Sequence, residues 1–305
     1  MFWRLYDSPD VVTCPKMRAK LFSDAVSGAE FLVNAIRPND GNYYFSVSED
    51  GKTGLHVQRK PYTAVFYCLA CLETYRVLRK YNKKTLENKI DFLSEARDAF
   101  HFVVKCLNDP RVCGAIAPTT TTTKAPPSIL GEVMCLSGMS EEFLKVLPGE
   151  SEYWMKFIEN AMARVVPHFD KISKVFMETV IDTTRGVDHT TSAGRLLNPG
   201  HSIEVSWAIF RLTKIRKSEK HLNIALEALE GALKSGWDEK KGGGITYMKD
   251  VLSKPLLDTT VVAEHKLWWP MCEALYACTL ALEITDGDAK WMKWLERIHN
   301  YIYKH

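Results

Sequence analysis

Apolar residues recur at helical spacing over most of this chain, and short alternating runs interrupt them at regular intervals. That repeat limits the fold more than any other feature. The periodicity predicts helices over 15–36, 61–80, 86–107, 127–137, 140–147, 152–169, 199–214, 218–235, 260–284 and 287–303. Between some of them lie β-like runs closed by turn residues. Tyr43–Val47 runs into Ser-Glu-Asp-Gly, Val175–Ile181 into Asp-Thr-Thr-Arg-Gly, and Gly244–Met248 comes off a glycine triplet. Tyr43, Met177 and Tyr247 stand 134 and 70 residues apart, two repeats and one repeat of a unit of about 67 residues. Helical hairpins at that period cannot each bury both faces, so they must stack side by side. A ring of them, an α/α toroid with short β-hairpins between helices, closes the stack. It leaves a hollow at one end lined by loops and helix termini.

At 305 residues and 46% hydrophobic, the chain can bury one large core, and no linker divides it; a single domain over 1–305 is expected. The 40 basic and 37 acidic residues are mixed along the chain, which gives no nucleic-acid footprint. No apolar run reaches membrane-spanning length, because Leu267–Ile284 is broken by Pro270, Glu273 and Glu283. The N-terminus lacks the apolar core of a signal peptide. Eight scattered cysteines suit a reducing compartment, so the cytoplasm is the expected location. Cys68 and Cys71 share a helical face and read as core rather than a metal pair; no metal site is expected. Pro118–Pro127, with five threonines in a row, resists helix and suits an extended surface loop.

The chemistry concentrates in Gly194–Trp207. Asn198 suits an N-cap and Pro199 the first helical position. His201, Glu204 and Trp207 then fall on one face of the helix that starts there. A histidine is matched to proton transfer near neutrality because its unperturbed pKa is about 6.5. The helix dipole disfavours imidazolium, whereas Glu204 favours it and would orient the ring. Gly200, lacking a side chain, would let a substrate approach closely. A second dense cluster, Lys266-Leu-Trp-Trp-Pro-Met-Cys-Glu273, sets two flat aromatic faces and a carboxylate one turn apart. A carboxylate beside tryptophans must meet a cation, a histidine or a ligand hydroxyl. Against these readings stand plainer ones: a capping histidine, and a tryptophan pair belonging to the core.

GRLLNPGHSIEVSW and KLWWPMCEALYA resemble the signature segments of the N-acylglucosamine 2-epimerase family, also called renin-binding proteins. FLVNAIRPNDGNYYFSVSEDGK, HVQRKPYTAVFYCLACLETYRV and SGWDEKKGGGITYMKD support the match, which runs in register to about residue 300. The resemblance implies an all-α (α/α)6 barrel. Six hairpins need twelve helices and the periodicity supplies about ten, so the barrel is expected to be incomplete at both ends. It also implies interconversion of N-acetylglucosamine and N-acetylmannosamine by deprotonation and reprotonation at C2, with His201, Glu204 and Glu273 catalytic. Arg59, Arg195, Asn198, Trp207, Lys266 and Trp269 become candidate substrate contacts, although Arg59, Arg195, Asn198 and Lys266 could equally be scaffold hydrogen-bonders.

No catalytic cofactor is expected. Allosteric ATP or another nucleotide, a homodimer and renin are expectations carried by the resemblance alone. Against the family pattern, Met271 stands where a histidine follows the proline, which would remove a polar group from the lip of the site. The family's catalytic arginine and second catalytic histidine fall outside the matched region, so poor turnover is expected. Two other readings stay open. One is a non-catalytic, renin-binding type of interaction protein; the other is an epimerase or isomerase of a different sugar such as cellobiose or mannose.

Overall fold

The computed structural model describes residues 1–37, 41, 43–58, 60–82, 89–109, 112, 127–256 and 262–305. Arg59 and the proline-threonine run up to residue 126 lie outside the described residues. The chain forms two compact units, Met1–Thr120 with Met139–Met155, and Thr121–Gly138 with Lys156–His305.

In the first unit, α1 (Phe2–Tyr6) precedes α2 (Pro15–Ala35), α3 (Tyr62–Lys80) and α4 (Phe92–Asn108). Asp91 caps α4 by accepting from the Ser94 N–H, satisfying one of the donors that a helix start leaves orphaned. An antiparallel hairpin, β1 (Tyr44–Val47) with β2 (Gly54–Val57), joins α2 to α3. The seam between α3 and α4 is built of small and medium residues: Ala64, Cys68, Cys71 and Leu72 on α3, and Ala96, Ala99 and Val103 on α4 are all buried. Phe143 stacks on Trp154 at 4.1 Å, and Phe100 meets Trp154 edge-on at 5.1 Å. Asp7 collects Arg76, Lys80 and Tyr81 around one carboxylate.

The helix α5 (Leu130–Val146) runs unbroken where the sequence suggested two short pieces. Nothing crowds Gly138, and the Ser137 hydroxyl turns back to the Met134 carbonyl, so the Ser-Gly pair leaves the helix intact. After α6 (Ser151–Val165), whose residues from Lys156 onward belong to the second unit, that unit continues with α7 (Pro199–Ile215), α8 (Glu219–Gly236), α9 (Trp268–Ile284) and α10 (Ala289–Lys304). There α7 packs against both α8 and α9, and α10 against α9. Ten residues of α7 are buried, from Pro199 to Thr213. The expected helix over 260–284 begins only at Trp268.

Two-residue strands lace the helix ends together: β3 (Ser128–Ile129) with β6 (Thr179–Val180), β4 (Phe169–Asp170) with β5 (Val175–Phe176), and β7 (Leu196–Leu197) with β8 (Lys249–Asp250), all antiparallel. The run predicted at 244–248 is irregular apart from a bridge between Ile245 and Trp237. Among the described residues, no helix is long and apolar enough to cross a membrane.

Candidate active site

The site grows from the start of α7, in the second unit. Asn198 is fully buried, and its Oδ1 accepts the backbone N–H of His201 at 3.2 Å. This is the cap that the Asn-Pro pair predicts, and it fixes where the helix begins. His201, Glu204 and Trp207 follow on the partly exposed face, while Ser202, Ile203, Val205 and Ser206 are buried.

The partner that orients His201 is Glu178, whose Oε1 accepts from Nδ1 at 2.8 Å. Glu204 was expected in that role, but a residue one turn along the same helix does not reach the inward-facing nitrogen. Because the carboxylate holds the proton on Nδ1, the neutral imidazole presents the Nε2 lone pair outward. Glu178 itself is fixed by its backbone: its N–H donates to the Leu196 carbonyl at 3.2 Å, and its own carbonyl accepts from Leu130 N at 2.9 Å. On either side, the His168 ring meets the Met177 carbonyl and the Ser128 hydroxyl, and Ser202 Oγ accepts from Phe176 N. In the sequence, Glu178 is only a polar residue within the β-like run Val175–Ile181.

Trp269 lies on the other side of the imidazole, with ring centroids 5.4 Å apart and planes inclined by 35°. This contact explains Gly200 differently from the sequence reading. A Cβ there would sit 2.5 Å from two atoms of the Trp269 indole. The glycine therefore admits Trp269 rather than a substrate. The two tryptophans part company: Trp268 is 78% exposed, while Trp269 is half-buried against His201.

Among the described residues, Glu273 meets neither a cation nor a histidine by hydrogen bond; its Oε2 accepts the indole N–H of Trp207 at 2.7 Å. An indole donor one helix away satisfies the carboxylate without neutralising it. Met271 is buried in the core, not placed at a site lip. Three other candidates have partners within the protein: Arg195 with Asp250 and the His189 carbonyl, Lys266 with Asp238, and Asn198 as the cap.

These neighbours shift the acids and the base. Burial would lower the His201 pKa, but the adjacent Glu178 outweighs it, with Glu204 and Glu273 adding to the pull, and the net shift is upward. Burial and then the charge of Glu273 push Glu204 up to about 7, against a smaller opposing pull from His201. Glu273 also rises, through burial, despite the Trp207 hydrogen bond. The Glu204 carboxyl has no hydrogen-bond partner among the described residues. A base with one nitrogen anchored, a carboxyl poised near neutrality and an aromatic plate beside them can move protons on a polar, ring-shaped substrate. Among the described residues, no group of three or more His, Cys, Asp or Glu side chains is disposed to hold a metal ion.

Comparison with known proteins bears on the fold and the family. N-acylglucosamine 2-epimerase of Mus musculus is 26% identical over 310 residues, spanning 100% of this chain and 68% of the mouse protein; the chain spans about two thirds of the length of the curated relatives it matches. Cellobiose 2-epimerase from Bacillus thermoamylovorans B4167 superposes with a TM-score of 0.75 at 18% identity, covering 99% of this chain and 74% of that one. A D-mannose isomerase superposes with a TM-score of 0.71 at 16% identity, covering 100% and 72%. The fold is accordingly the all-α, α/α-barrel type of the sugar epimerases. Residues 150–305, which carry the whole His201 cluster, match the profile of N-acylglucosamine 2-epimerase (GlcNAc 2-epimerase), and the chain belongs to that family.

Proposed function

We propose that the protein inverts C2 of an N-acetylhexosamine, interconverting N-acetylglucosamine and N-acetylmannosamine. The observation that carries the reading is the His201–Glu178 pair, which leaves Nε2 of a half-exposed imidazole free beside Trp269 and two carboxyls of raised pKa. The sugar opens to its aldehyde as the C1–O5 bond breaks, and Glu204, half protonated near pH 7, takes the proton of the anomeric hydroxyl and gives one to the ring oxygen. His201 Nε2 then takes the C2 proton, made weakly acidic by the neighbouring carbonyl, and Glu178 stabilises the imidazolium that forms. A proton drawn from solvent is then delivered to the other face of C2, giving the epimer, and the imidazolium returns its own proton to solvent. The flat face of Trp269 packs against the sugar carbons, and Glu273 accepts from a hydroxyl with the oxygen that Trp207 leaves free. Neither bond order nor oxidation state changes overall, so the proposed cycle calls for no redox cofactor. Free thiols buried within helices, at Cys68, Cys71, Cys106 and Cys278, favour a cytoplasmic setting.

The test is incubation with N-acetylglucosamine, following N-acetylmannosamine by its anomeric proton signals, with cellobiose and mannose in parallel. Formation of N-acetylmannosamine is expected. Conversion of cellobiose or mannose with no action on the N-acetyl sugar would move the assignment to a different sugar.

A further inference from the structure

The tyrosine at 247 is held beside the site with no hydrogen-bond partner for its hydroxyl among the described residues. Its backbone belongs to a tightly tied stretch: Thr246 N donates to the Gly236 carbonyl at 2.9 Å, Tyr247 N to the His265 carbonyl at 3.0 Å, and Met248 N to the Ala263 carbonyl at 2.9 Å. Three consecutive anchored residues leave the ring little freedom to swing away. The Tyr247 ring stands edge-on to Trp269, 6.5 Å between centroids at 84°, and the same indole carries His201 against it at 5.4 Å. Tyrosine, tryptophan and histidine therefore form one continuous aromatic wall. The phenol also feels the charge of Glu178, the carboxylate that orients the base. Burial and that charge both keep it protonated, so it is a donor. Among the described residues its hydroxyl has no hydrogen-bond partner, and because the residue is only half-buried that hydroxyl stays open to a ligand.

Resting on the epimerase reading above, we propose that Tyr247 is a catalytic residue that donates a hydrogen bond to the substrate's O1 as negative charge collects there. When His201 Nε2 removes the C2 proton, the C2–H bonding pair becomes the C1–C2 double bond, and the carbonyl π pair moves onto O1. Reprotonation at C2 reverses each of these shifts, and the phenol keeps its own proton throughout. A neutral donor suits the place, because Glu178, Glu204 and Glu273 already crowd it with carboxyls. It also acts mainly on the transition state and the enolate, where O1 carries charge that the ground-state carbonyl lacks, so it should speed turnover more than it tightens ground-state binding.

The test replaces Tyr247 with Phe, which keeps the ring and its edge contact with Trp269 and removes one oxygen. Exchange of the C2 hydrogen of N-acetylglucosamine in deuterium oxide, read as kcat and KM, should show kcat lower by about 10²–10³ with KM within about twofold. A binding measurement independent of turnover uses two linear ligands: a hydroxamate anion that mimics the enolate, and the neutral alditol of the same amino sugar. The Y247F protein should lose tenfold or more in affinity for the hydroxamate and nothing for the alditol. Wild-type exchange rates, or equal hydroxamate affinity in the two proteins, would overturn the role of the hydroxyl while leaving the epimerase reading intact. A wild-type protein that neither exchanges C2 nor binds the alditol would remove that reading and this one with it.

Discussion

Replacing Glu204 with glutamine should make the protein more stable at alkaline pH. In the unfolded chain this carboxyl ionises near 4.5, whereas burial and the neighbouring Glu273 push it up to about 7 in the fold. Between those values the folded state keeps a proton that the unfolded state has released. Stability therefore falls as pH rises from about 4.5 and levels off above about 7. The gap corresponds to about 3 kcal/mol for a fully coupled group. Glutamine has almost the same shape and no charge to desolvate. Urea unfolding at pH 5 and pH 8 on both proteins should show the variant gaining about 2 to 3 kcal/mol on the wild type between the two conditions. The comparison isolates Glu204, because the other titrating groups are common to both proteins, apart from a smaller upward pull on His201 that glutamine removes. Parallel pH dependences would mean that the carboxyl ionises normally and is not the near-neutral acid inferred here. The same substitution should depress epimerisation, which is the usual price of stabilising a site held ready for chemistry.

Two further substitutions probe the frame around the base. With Glu178 changed to Gln, His201 loses the charge that raises its pKa, so the acid limb of the pH–rate profile should move to lower pH while maximal kcat falls tenfold or more; an unmoved limb would show that Glu178 does not govern the imidazole. With Gly200 changed to Ala, the new methyl would lie 2.5 Å from the Trp269 ring, so urea titration should show a loss of about 1–3 kcal/mol from overpacking, together with lower activity; undiminished stability would mean the indole moves aside freely.

The start of α7 was legible because capping is local: Asn198 and Pro199 specify it within two residues, and the structure places the helix at Pro199–Ile215. The same locality put His201, Glu204 and Trp207 on one face. Glu178 was not legible, because it reaches His201 from the bend between β5 and β6, 23 residues upstream, and no periodicity encodes such a crossing. The tryptophan pair misled for a related reason. Adjacent helical positions point about 100° apart, so Trp269 met the histidine while Trp268 faced outward, and sequence alone did not say which. The five-residue helix at Phe2–Tyr6 is too short for any periodic signal; tertiary contacts fix it, among them the Trp3 indole N–H to Thr74 Oγ1 at 2.8 Å. Arg195 and Lys266 were candidate contacts because they sit in segments that resemble the family's, with a scaffold role equally open, and the partners that tie them into the scaffold, Asp250 and Asp238, are distant in sequence.

The account stands on Nε2 of His201 being the base that takes the hydrogen from C2. Its most direct test is to incubate N-acetylglucosamine with the protein in deuterium oxide and determine by NMR where deuterium enters the sugar. The expected result is deuterium at C2 alone, appearing in N-acetylmannosamine as it forms, with His201→Gln reducing the rate at least 10²-fold. Epimer formed with its C2 hydrogen retained, or a glutamine variant that exchanges as fast as the wild type, would contradict it.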